Sequence, residues 1–179
     1  MSDYCFSQDV TPCHGKKKVR LSFLREELLY DIKNSAFIEG DVIGEERQHA
    51  QHVLVDIGED GNVDRVTRLL NLYFTKAVEL LSPITRVDVI CGTSLDDHLS
   101  EPDSYVIDLY LPSDFSQTSV YYLKELIHNY LIDMVLYDWL SITNPDASGR
   151  WLSKAEDAEA EISKLKVPRG VFTRKTHPW

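Results

Sequence analysis

Residues 117–141 read Q-T-S-V-Y-Y-L-K-E-L-I-H-N-Y-L-I-D-M-V-L-Y-D-W-L-S, and they decide the fold. Val120, Leu123, Leu126, Ile127, Tyr130, Leu131, Met134, Val135, Leu136, Trp139 and Leu140 recur at spacings of three and four and cover nearly the whole circumference of a helix. A helix that apolar is the central element of a bundle. Asp133 and Asp138 interrupt it, either as the polar edge of a crowded helix or as groups facing a neighbouring chain or arm.

Working outward, Asn144-Pro145-Asp146 makes a turn and a helix start, and residues 146–166 place Trp151, Ala155, Ala158, Ile162 and Leu165 on one stripe. Pro168 and Gly170 end that helix. Upstream, residues 85–91 (T-R-V-D-V-I-C) and 105–111 (Y-V-I-D-L-Y-L) alternate as strands do, and thirteen mostly polar residues, 92–104, separate them. The expectation is a β-hairpin with a long exposed tip. Gly61-Asn62 supplies a turn and a cap, and Val63, Val66, Leu69, Leu70, Tyr73, Ala77, Leu80 and Leu81 form one face of a helix closed by Ser82-Pro83. A first helix over 22–37, capped by Ser22, carries Leu24, Leu28, Leu29 and Ile32, and a shorter one follows over 45–54. Val19, Leu21 and Phe23 alternate as a short edge strand.

The order α-α-β-β-α-α gives a mainly α (α+β) fold: a bundle of about four helices with one projecting β-hairpin, residues 85–111, and extended terminal arms. The body spans 21–166, with a basic arm at 1–20 and another at 167–179.

Charge is segregated along the chain. Residues 26–163 hold 27 Asp and Glu against 9 Lys and Arg. Residues 10–25 carry Lys16, Lys17, Lys18, Arg20 and Arg25 and no acid; residues 164–179 carry Lys164, Lys166, Arg169, Arg174 and Lys175 and no acid. An acidic body with two basic arms is complementary to copies of itself. Phe172 and Trp179 flank the last basic residues, and aromatics beside arginine are typical of interface centres. The candidate interface is therefore Lys16, Lys17, Lys18, Arg20, Arg169, Phe172, Arg174, Lys175 and Trp179 on the arms, with Asp96, Asp97 and Asp103 at the hairpin tip.

Chemistry is harder to find. No signal peptide opens the chain and no apolar run is long enough to span a membrane. Three cysteines, Cys5, Cys13 and Cys91, leave one unpaired in any disulfide scheme, which points to a reducing compartment. Cys5, Cys13 and His14 lack zinc spacing. The stretch from Asp56 to Asp64 has Gly58 where a calcium loop needs Asp or Asn, and Thr67 stands where the loop needs its bidentate Glu, so it reads as a turn. His49 and His52 share a helix face without an H-E-x-x-H pattern. Cys91, Ser94, Asp96 and His98 lie at a strand end and in the polar tip, without the rigid orientation a catalytic triad needs. Neither a phosphate-binding glycine loop nor a nucleophile elbow is present. No catalytic residue, metal site or cofactor is expected. An acidic pI near 5.0 argues against a body that wraps nucleic acid, although the arms could touch DNA.

Y-L-K-E-L-I-H-N-Y-L-I-D-M-V-L-Y-D-W-L (Tyr122–Leu140), Trp151-Leu152-Ser153-Lys154-Ala155-Glu156 and Pro168-Arg169-Gly170-Val171-Phe172-Thr173-Arg174-Lys175 together resemble the neck, head–tail connector and tail-completion proteins of tailed bacteriophages, of the kind encoded near tail genes in phages and prophages of Bacteroides-type hosts. The resemblance covers roughly residues 20–179 and transfers no functional residue. It implies a ring of copies in the virion between capsid portal and tail, assembled in the host cytoplasm, with other virion proteins as partners and no catalysis. The alternative is a cytosolic adaptor or regulatory module that binds through the acidic tip, residues 95–103. A hydrolase or metal-dependent enzyme of unrecognised type stands third.

Overall fold

The computed structural model describes residues 16–41, 56–82, 84–85, 99–112 and 115–166. In chain order these form β1 (Lys16–Leu24), α1 (Arg25–Asp41), a 3-10 turn (Asp56–Gly58), α2 (Asp60–Leu80), β2 (Ser104–Pro112), α3 (Gln117–Thr143) and α4 (Pro145–Lys166). The fold is mainly helical, with four α-helices and one antiparallel strand pair among the described residues, as the periodicity indicates.

Helix α3 is the hub. Leu123, Ile127, Leu131, Val135, Leu136 and Leu140 are essentially inaccessible to solvent. Each such burial contributes about 1.5–3 kcal/mol. α3 packs on α4, α2 and α1. A single residue, Asn144, separates α3 from α4, which makes the two an antiparallel hairpin. Pro145 occupies the first position of α4, where a missing N–H costs nothing, and the Asn144 carbonyl accepts from the N–H groups of Ala147 and Ser148. Lys166 at the end of α4 donates to the Leu80 carbonyl at 2.7 Å and so caps α2.

The sheet includes a pairing that the expected hairpin did not. The partner of β2 is β1, antiparallel, with Leu21 opposite Ile107 and Phe23 opposite Tyr105. These side chains, with Leu109 and Leu111, face the core, so this strand pair packs on the helices. The expected partner strand, residues 85–91, lies outside the described residues except for Thr85, which bridges Leu109 in the antiparallel sense. The alternation through Val19, Leu21 and Phe23 therefore wins over the helical spacing of Leu24 and Leu28, and α1 starts at Arg25, three residues later than predicted. Its first N–H is taken by the Asp103 carbonyl at 3.0 Å. Helix α2 starts three residues earlier than predicted: Glu59 is its cap, and Asn62 reaches back to the Asp56 carbonyl at 2.8 Å. The predicted helix at 45–54 lies outside the described residues. Among the described residues no helix is long and apolar enough to cross a membrane.

Candidate functional site: an acidic groove between three helices

Three helices each present a polar stripe to one groove of about 600 Å³. α1 contributes Asp31, Asn34 and Ser35; α3 contributes His128, Asn129 and Asp133; α4 contributes Trp151, Lys154, Asp157 and Glu161. On α4 the spacings of three, three and four put Trp151, Lys154, Asp157 and Glu161 on one face of the helix. Four carboxylates against one lysine make the groove acidic.

Several of these groups have partners within the chain. Asp31 holds His128 Nε2 at 2.8 Å, and the imidazole stacks beside Phe23 with ring centroids 6.4 Å apart. Glu161 accepts from Lys164 at 2.6 Å. Lys154 lies over the Trp151 ring, its Nζ 4.0 Å from the centroid. Asp133 is different. Only 9 % of it is exposed, and no described residue donates to its carboxylate. Burial pushes its pKa up to about 6, with Lys154 opposing the shift. Arg150 closes the α1–α4 junction, its Nη2 2.5 Å from both carboxylate oxygens of the buried Glu39.

The predicted site residues are scattered. Lys16 and Lys17 stand exposed at the start of β1. Arg20, directly across the strand pair from Asp108, and Lys18, two residues earlier on the same face, are committed to Asp108 at 2.8 and 2.9 Å. Arg20 first, then Lys18, holds the Asp108 carboxyl well below the usual range. Residues 16–20 are thus sheet, so the expected arm of 1–20 gives up its last five residues to β1, and residues 1–15 lie outside the described residues: the same alternation that buries Leu21 and Phe23 recruits the lysines into β1. Asp103 is exposed beside the Glu101–Arg25 pair, whose separation is 3.1 Å. Asp96, Asp97, Arg169, Phe172, Arg174, Lys175 and Trp179 lie outside the described residues, as do Cys5, Cys13, His14, His49, His52, Cys91 and His98. Among the described residues no three His, Cys, Asp or Glu side chains are grouped to hold a metal ion.

Sequence reasoning singled out Asp133 but missed the groove around it. Asp31, Asp157 and Glu161 look like ordinary solvent-facing acids in one dimension, and only helix docking brings them together. A second surface feature was also missed. Leu28, Ile32 and Ala36 on α1 face the core, while Tyr30, Phe37 and Ile38 on the opposite side are 69, 56 and 57 % exposed. Compared with known proteins, the chain matches no family model, no curated relative and no solved structure.

Proposed function

We propose that the chain is a non-catalytic structural subunit that assembles with copies of itself into a ring. The resemblance read from residues 122–140, 151–156 and 168–175 gives that ring its setting: the neck or head–tail junction of a tailed-phage virion, beside portal or tail components. The observation that carries the reading is the outer face of α1. Large apolar side chains grouped on a helix face mark protein–protein contacts, and Tyr30, Phe37 and Ile38 form such a face. Charge segregation supplies the second ingredient, because the described body is acidic where the C-terminal residues are basic. Individual surface ion pairs contribute less than about 1 kcal/mol, but a closed ring repeats each contact in every subunit.

The test is mass by light scattering at low and high salt, for the native chain and for Phe37→Glu. A large, salt-sensitive oligomer that Phe37→Glu dissociates supports the reading. A monomer under every condition refutes it and returns the adaptor alternative.

A further inference from the structure

Asp133 presents a carboxylate that folding has largely withdrawn from water, on the floor of the groove, and no described residue donates to it. Burying such a group is unfavourable unless it is paired. Asp31 and Glu161 have cations or imidazole beside them; Asp133 has only the field of Lys154, which rests on Trp151. The groove is open above it and large enough for a long side chain.

We propose that this groove binds an arginine side chain from the basic C-terminal segment, residues 167–179, of a second copy of the chain. The proposal rests on the assembly reading above. A guanidinium offers a planar fork of donors that fits a carboxylate with two parallel hydrogen bonds, and it is more weakly hydrated than an ammonium, so it enters a half-dry groove at lower cost. The segment carries Arg169, Arg174 and Lys175 with no acid, and Phe172 and Trp179 add apolar surface beside them. Burial has already raised the pKa of Asp133, and an incoming cation relieves the strain that burial creates. The assembly reading, in which copies meet, favours a second copy over the chain's own tail.

Two full-length variants separate donor from receptor: Arg169→Gln/Arg174→Gln/Lys175→Gln removes the donor, and Asp133→Asn removes the receptor. Circular dichroism checks that both are folded, and sedimentation velocity at low salt reads association. The expected result is that each variant alone associates roughly 30-fold or more weakly than the native chain, and that mixing the two restores a complex through the one intact donor–receptor pair. Native-like association of Asp133→Asn overturns the groove assignment while leaving assembly intact. Variants that remain apart on mixing overturn docking between copies. A native chain that never associates removes both readings together.

Discussion

Asp133 and Asp138 sit five residues apart on α3, about 140° around its axis, and they face walls of different construction. Asp138 points to α2, where the Tyr73 hydroxyl donates to its carboxylate. Desolvation first, and then this bond, raises the Tyr73 pKa above its ordinary value. That wall is closed by its own polar pairing. Asp133 points to the groove shared with α1 and α4 and has no donor from any described residue. A buried polar group that is satisfied within its own chain holds elements together. One left unsatisfied at the bottom of an open groove lowers stability and favours a partner from outside.

The largest expected effect comes from the core behind α3. Leu136 is fully buried between the two aspartates, and Leu136→Ala should cost about 3–4 kcal/mol in urea unfolding. Next comes a substitution that should stabilise. Asp133→Asn removes a charge that burial disfavours, and should raise stability by about 1–2 kcal/mol at pH 8, after allowance for solvent reaching the groove. The sign follows from linkage. The folded pKa of about 6 lies above the unfolded value, so the native chain keeps its full stability below the unfolded pKa and loses it as pH rises through 6. The gain from Asp133→Asn should therefore shrink towards pH 4. An Asp133→Asn chain less stable than native at pH 8 would mean that the carboxylate has a donor after all.

The groove wall was less legible in the sequence than the bundle, for a physical reason. Helical periodicity reports which face of one helix is buried, so α2, α3 and α4 were readable from Val66, Leu131 and Ile162. It does not report which flank of α1 docks beside α3, and that docking alone brings Asp31 and Asp157 to the groove of Asp133. The strand pairing was hidden likewise. β1 and β2 are some eighty residues apart in sequence, and the nearer candidate, residues 85–91, has the same alternation as β1. The charge run at Lys16–Arg20 misled for a related reason: a basic stretch reads as solvated until an opposite charge such as Asp108 is found across a strand.

The closed wall should respond less than the open one. Tyr73→Phe removes the donor to Asp138 and should cost about 1 kcal/mol at pH 7. Because the folded pKa of Tyr73 is raised, the native chain keeps this contribution below pH 10 and loses it as pH rises further. Tyr73→Phe should therefore flatten the alkaline limb of the stability profile. An unchanged alkaline limb would show that Tyr73 is not the titrating group.

The smallest effect should come from the exposed sheet face, a polar cluster that is satisfied yet bathed in solvent. Asp108 accepts from Arg20 through two hydrogen bonds, at 2.8 and 3.2 Å, and from Lys18. Its folded pKa is depressed, so its contribution is present above the unfolded value and lost as pH falls through the folded one. Solvent screening nevertheless keeps surface pairs weak. Asp108→Asn should lower the melting temperature by no more than about 2 °C at low salt, and the difference should fade as ionic strength rises. A larger loss that persists in salt would mean that this face is shielded from solvent in solution, with Asp108 buried beside Lys16 and Lys17 on the same strand pair.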